Sequence, residues 1–315
     1  MNSHKKTLFV ALFASLMALF VANLGQAQPV SAASTRTIKV AGTKYKIPKD
    51  PKRIVTNVYT GDVLTVKGNV VGATSIDLKS PYVTKKQNKK IKNLGLNLKA
   101  EAVLKLKPDL IITSNETDVK NLKKIAPVVY IPYGSTGNIK ATVTEFGRIL
   151  NNQKEAKSWQ KKFTKEATKQ QKRLKNAGID PSQTTVGLFD MQSGKVYIDG
   201  AKWGRGGQAL VTGLDFQLTD AAKKIDKGAG YEQVSLESLD QYGADWIFFS
   251  NTETTKGSND SAIKDLKANP VWQGLDAVKN DHVVQLPFNN VYYFDGNAVY
   301  HQMKLITDAM LKQVK

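Results

Sequence analysis

Two segments 136 residues apart share one layout. Glu101-Ala-Val-Leu-Lys-Leu-Lys-Pro-Asp109-Leu-Ile-Ile and Glu237-Ser-Leu-Asp-Gln-Tyr-Gly-Ala-Asp245-Trp-Ile-Phe each place a Glu, a short helical segment, an Asp and a buried strand in that order, with the same Glu-to-Asp spacing. A helix-to-strand unit used twice, so far apart, predicts two similarly built α/β lobes bearing equivalent carboxylates, and hence a cleft between them.

The first residues address the chain to the outside of the cell. Lys5 and Lys6 precede an apolar run from Thr7 to Leu24, and small residues follow at Val30-Ser31-Ala32-Ala33. This pattern is a secretory signal with cleavage expected after Ala32, although the run is long enough to serve instead as an uncleaved anchor. With no cysteine in the sequence, disulfides, thiolate chemistry and a lipidated N-terminal cysteine are unavailable. Loss of residues 1–32, which hold two lysines and no acid, takes the formal net charge from +19 to +17. Such a surface favours anionic lipid headgroups, wall polymers or an anionic ligand. Nucleic acid is not an expected partner, because the lysines are scattered rather than gathered with aromatics on one helix.

Strands are expected at 53–58, 70–74, 110–113 and 128–131, alternating with helices as in a parallel sheet covered on its faces. A second series is expected at 185–189, 196–198, 246–249 and 283–286. Between them, Val143, Phe146, Ile149, Ala156, Trp159, Phe163, Gln170 and Leu174 keep three- and four-residue spacing while Lys and Gln fill the other faces. That predicts one helix, or two in sequence, crossing between lobes and ending at Gly178-Ile-Asp-Pro181. The expected organisation is a signal at 1–32, an N-terminal α/β lobe at 33–141, a rigid crossover helix region at 142–178 and a C-terminal α/β lobe at 179–315.

Three stretches carry a resemblance: Leu98 to Thr113, Tyr197-Ile-Asp-Gly-Ala-Lys-Trp-Gly-Arg-Gly-Gly207, and Ser235-Leu-Glu-Ser-Leu239. In this order the chain resembles the substrate-binding proteins of iron-siderophore ABC importers, in which two α/β lobes are joined by one long helix. The resemblance covers nearly everything after the signal. It implies capture of a ferric siderophore outside the cell and delivery to a membrane permease by a monomer with no cofactor of its own.

The segment 197–207 has a chemical reading without the family. Tyr197 ends an expected strand, and Trp203 and Arg205 follow in a glycine-punctuated loop, where α/β sheets place ligands. The aromatic faces suit a greasy chelate backbone, and Arg205 could donate a fork of hydrogen bonds to the oxygens that hold the metal. The plainer alternative is a helix-start turn in which Trp203 caps the core and Arg205 is solvated. In receptors similar to this one a Trp and an Arg at this spacing contact the ligand. A solvent-facing role implies that neither side chain contributes much to folding. Tyr59, Thr60, Tyr82, Asn115 and Tyr133 in N-lobe loops, and Tyr292, Tyr293 and Phe294 after the last strand, are further candidates for an aromatic cleft or for packing between lobes.

In the resemblance a surface Glu on each lobe docks onto permease arginines, and Glu101 and Glu237 match those positions. Each could instead, or also, stabilise its own helix N-terminus. Direct metal binding is poorly supplied: besides His4 in the signal, only His282 and His301 remain. A chelated cargo is therefore expected, with a hydroxamate siderophore favoured over a tris-catecholate, which would demand several cations, and over haem or cobalamin. A serine hydrolase is the remote alternative. Ser158-Trp-Gln-Lys161 and Ser261-Ala-Ile-Lys264 match its Ser-x-x-Lys spacing, but no companion motif accompanies either.

Overall fold

The computed structural model describes residues 34–253 and 255–314. The expected signal at 1–32 lies outside the described residues. Among those described, no helix is long and apolar enough to cross a membrane.

The described chain opens with an antiparallel hairpin, β1 (Thr35–Val40) and β2 (Thr43–Pro48). Ala41 and Gly42 both take positive φ in its two-residue turn, the backbone that tight hairpins require. Sequence patterning offered no warning of this hairpin, since its outward faces are filled with Lys and Thr. The first lobe is a five-stranded parallel sheet in the order β5-β4-β3-β6-β7. Its strands are β3 (Ile54–Thr56), β4 (Val70–Ala73), β5 (Lys92–Asn93), β6 (Leu110–Thr113) and β7 (Val128–Tyr130). All four β6 residues are buried, which is why this strand reads as an unbroken apolar run rather than an alternation.

The second sheet holds β8 (Thr185–Gln192), β9 (Lys195–Asp199), β10 (Gln217–Leu218), β11 (Tyr231–Val234), β12 (Trp246–Thr252) and β13 (Val283–Gln285). The main order is β11-β9-β8-β12-β13, with β10 alongside β8. Here β9 and β11 run antiparallel to their neighbours while the rest is parallel. The reversal is made by Ser193 and Gly194, both at positive φ, between β8 and β9.

The repeated Asp has a structural meaning in both lobes. Asp109, just before β6, accepts hydrogen bonds from the backbone N–H groups of Lys52 (2.7 Å) and Arg53 (2.8 Å), just before the neighbouring β3. Asp245, just before β12, accepts from the N–H and Oγ1 of Thr185, both at 2.7 Å, at the start of the neighbouring β8. In each sheet this carboxylate pins two adjacent parallel strands at their N-terminal ends, fixing register where no turn joins them.

The crossover is two helices in sequence rather than one continuous rod. Ile139–Ile149 and Gln153–Asn176 are separated by Asn151, whose φ of 58° breaks the helical path. Gly147 lets them pack closely, since a Cβ there would lie 2.6 Å from Ala156 Cβ. With α1 as Thr60–Thr65, these helices are α2 and α3, and α4 is Gly296–Met310. From α3, Phe163 and Leu174 are fully buried and Trp159 donates from Nε1 to Gly296 O (3.2 Å). One hydrophobic cluster runs from Ile54 and Val63 through Phe146 and Phe163 to Leu188, Val299 and Met310. The two lobes therefore share a core across their joint, in addition to smaller cores on the outer faces of each sheet.

Candidate functional site

A cavity of about 560 Å³ lies between the lobes, within the usual range for a small-ligand site. Loops at the C-terminal ends of the strands build it: Asn57 and Val58 after β3, Thr74 and Ile76 after β4, Tyr133 after β7, and Trp203 and Arg205 after β9. The segment 288–295 after β13 supplies Phe288, Tyr292, Tyr293, Phe294 and Asp295. Val58 enters the wall at a φ of 59°. That is a strained backbone for a β-branched residue and it ends β3 two residues before the expected boundary.

The aromatic wall is continuous. The Trp203 ring lies 4.3 Å from Tyr231 and 5.2 Å from Tyr133, and Tyr133 lies 4.9 Å from Phe294. Three tyrosine hydroxyls bridge the lobes around it: Tyr82 donates to Asn290 O (2.7 Å), Tyr293 to Ile76 O (2.9 Å) and Tyr133 to Trp203 O (3.5 Å).

Arg205 is held differently from the expectation. Its side chain is 9% exposed, and Nε and Nη2 both donate to Asp190 Oδ2, at 3.0 and 2.8 Å. Asp190, on β8, also accepts from Ser250 (2.8 Å) and Thr252 (2.9 Å), so its charge is fully bonded. The guanidinium lies 5.1 Å from the Phe288 ring and 5.7 Å from that of Tyr292. Arg205 is thus neither solvated nor free to spend its whole fork on a ligand: it is a buried cation whose charge Asp190 neutralises. The loop reaches this geometry through three successive positive φ values at Gly204, Arg205 and Gly206. A Cβ on Gly204 would sit 2.9 Å from Tyr292 O, so only glycine lets the loop pack under the aromatic segment.

Carboxylates outnumber cations on the wall. Asp199 stands 3.9 Å from Arg205 Nε, its Oδ2 accepts no hydrogen bond, and burial lifts its pKa to about 7 despite the nearby guanidinium. Asp77 accepts from Thr60 Oγ1 (2.7 Å), and burial lifts its pKa to about 6 against that stabilising bond. Asp295 caps α4, accepting from the N–H groups of Asn297 (3.0 Å) and Ala298 (3.1 Å). Asp62 lies behind it with an unbonded Oδ1, and burial raises both carboxyls above the ordinary range. Gly61 makes this seam possible, because a Cβ there would fall 2.1 Å from Asp295 Cγ.

Of the eleven residues expected to bind ligand, Trp203, Arg205, Tyr197, Tyr133, Tyr292, Tyr293 and Phe294 line the cavity. The other four do not, and each has a structural task. Tyr59 is 2% exposed and donates to Ile131 O, while Thr60 is fully buried against Asp77. Both begin α1 and point into the first lobe, whereas the turn at Asn57–Val58 faces the cleft. Asn115 caps the helix Glu116–Leu122 by accepting from Thr117 N. Tyr82 ties the lobes together and stacks on His301 at 5.7 Å. Val58, Ile76, Tyr231 and Phe288, and the carboxylates Asp77, Asp190 and Asp199, were not among the expected residues. A lone Asp inside the apolar run Val186-Gly-Leu-Phe-Asp-Met191 was the available signal, because a buried strand carboxylate needs a cation.

The paired glutamates are at the surface. Glu101 opens the helix Ala100–Lys105 with its side chain 83% exposed and an ion pair to Lys105 at 2.9 Å. Glu237, exposed in the first turn of Leu236–Tyr242, has its pKa lowered by its own backbone N–H and by Ser235. His282 stacks on Trp246 at 4.0 Å, and neither histidine lines the cavity. Ser158 is exposed on the outside of α3 and Ser261 on the helix Asp260–Ala268.

Two α/β lobes around an aromatic cleft, joined by a helical crossover, define a two-lobed class of ligand-binding protein. The chain belongs to the periplasmic binding protein family, whose profile matches residues 54–290. It is 33% identical over 320 residues to the iron(3+)-hydroxamate-binding protein YxeB of Bacillus subtilis, covering 99% of this chain and 98% of that protein. Among solved structures, the FhuD protein from S. pseudintermedius superposes with a TM-score of 0.77 at 29% identity, covering 88% of this chain and 98% of the other. FhuD2 from Staphylococcus aureus with bound ferrioxamine B superposes with a TM-score of 0.72 at 26% identity, covering 84% of this chain and all of the other.

Proposed function

We propose that this chain captures a ferric hydroxamate siderophore outside the cell and delivers it to the permease of an ABC importer. The observation that carries the reading is the cavity itself: an aromatic wall about a single cation that Asp190 already neutralises. A strongly anionic tris-catecholate complex finds no free positive charge there, whereas a weakly charged hydroxamate complex gains aromatic contact and meets no opposing field. The names of the relatives support the same ligand class. Trp203, Tyr197, Tyr133, Tyr292 and Tyr293 would contact the chelate, and Arg205 would offer it the edge not bonded to Asp190. Iron arrives inside its chelator, and the protein needs no resident cofactor and performs no catalysis, acting as a monomer. Glu101 and Glu237 would engage the permease, and residues 1–32 would direct export.

The test is a tryptophan-fluorescence titration with a ferric tris-hydroxamate, a ferric tris-catecholate, haem and cobalamin. Trp203 is the only one of the four tryptophans on the cavity wall, so its quenching reports occupancy. Saturable quenching by the hydroxamate complex, at concentrations where the others give none, is expected. Tighter binding of any of the other three refutes the ligand class.

A further inference from the structure

The outward face of α3 is a lysine ridge. Lys154, Lys157, Lys161, Lys162, Lys165, Lys169, Lys172 and Lys175 are all exposed on this helix, while Ala156, Trp159, Phe163, Ala167, Gln170 and Leu174 are its buried residues. At 100° per residue the eight lysines fall in an arc of about 140° centred opposite the buried stripe, and they extend over about 32 Å of axis. The helix has only two acids, Glu155 and Glu166, and both are half-buried on its flanks. Among the described residues, only Lys175 of the eight has a carboxylate partner, Asp180 at 3.3 Å. Seven adjacent ammonium groups without an ion-pair partner repel one another. None of them lines the ligand cavity.

We infer that the α3 ridge is a docking surface for an anionic phospholipid bilayer. Charge complementarity and shape carry the choice: an unbroken helical row of cations on one face presents its charges together to a flat anionic surface. Spacings of one helical turn put neighbouring lysines within a Debye length, so they act as one field. Between the lysines the face carries Ser158, Thr164, Thr168 and Asn176, with no apolar side chain to insert, so contact stays at the headgroups and is reversible by salt. Such contact would keep a receptor sliding close to the membrane that holds its permease, independently of whether the cavity is filled.

The test uses the full chain and vesicles of phosphatidylcholine with or without phosphatidylglycerol, in 150 and 500 mM NaCl. Any contribution of the Thr7–Leu24 segment is common to all arms, so the readout is the gain in partitioning that phosphatidylglycerol confers. A ridge variant combines Lys157→Gln, Lys161→Gln, Lys165→Gln and Lys172→Gln. A control combines Lys85→Gln, Lys86→Gln, Lys89→Gln and Lys90→Gln, which removes the same charge from another exposed segment. The ridge variant should lose on the order of 100-fold of that gain, the control only a few-fold, and high salt should abolish it. Unchanged thermal unfolding of both variants shows that the fold is intact. An equal loss in the control, no preference of the wild type for phosphatidylglycerol, or tight binding to soluble long-chain polyphosphate without vesicle binding would each overturn the assignment.

Discussion

Replacing Arg205 by alanine is the most informative single perturbation of this molecule, because it separates a buried structural cation from a solvent-facing ligand contact. The substitution leaves Asp190 and Asp199, each about 1% exposed, without the guanidinium that stands 2.8 and 3.9 Å from them. Breaking a buried ion pair by removing one partner costs about 3–5 kcal/mol. The lower end applies here, since Asp190 keeps its bonds from Ser250 and Thr252. A loss of about 3 kcal/mol corresponds to a fall in Tm of roughly 6–12 °C for a domain of this size. The assay is thermal and urea unfolding of the ligand-free protein. The sign of the pH dependence gives a second readout: loss of the cation raises the Asp199 pKa further, so the deficit should be larger at pH 8, where that carboxyl must ionise, than at pH 5. A Tm within about 2 °C of wild type would refute the buried-pair argument and restore Arg205 to the solvent-facing ligand contact first expected of it.

Trp203→Ala removes stacking area from a half-buried ring on the cavity wall, so ferric-hydroxamate binding should weaken by about 1–3 kcal/mol in calorimetric titration. Apo stability should change less than in Arg205→Ala. Glu101→Ala combined with Glu237→Ala should abolish ferric-siderophore uptake in cells while leaving affinity in solution unchanged; normal import by the double variant removes the docking role. Burial raises the carboxyls of Asp77 and Asp199 from 3.8 to about 6 and 7. Their contribution to stability is full below about pH 4 and is lost as pH rises through 6 to 7. Asp77→Asn with Asp199→Asn should therefore flatten the decline in urea midpoint between pH 5 and pH 8, and an unchanged slope would place the titration elsewhere.

The two-lobed α/β plan is legible along the chain, because repeated units and apolar runs are local features. Leu110–Thr113 matches its strand end for end, and the other expected strands differ only at their margins. The sequence also disclosed the crossover, since Val143, Phe146 and Ile149, then Trp159, Phe163 and Leu174, keep helical spacing wherever the two helices break. It pointed to Trp203 through the glycines around it. Pairing across distance is written only in the folded molecule. Nothing near Arg205 in sequence announces that its fork closes on Asp190, because that carboxylate arrives from a strand fifteen residues earlier and is itself held by Ser250 and Thr252. The same holds for the repeated Asp109 and Asp245, whose partners lie at the starts of strands more than fifty residues upstream. Tyr59 and Val58 are adjacent, yet one is buried in the lobe and the other faces the cleft, because Val58 is itself left-handed and turns the chain there. Spacing along the chain encodes the faces of helices and strands, whereas which buried charge meets which partner is set by long-range geometry that no local pattern carries.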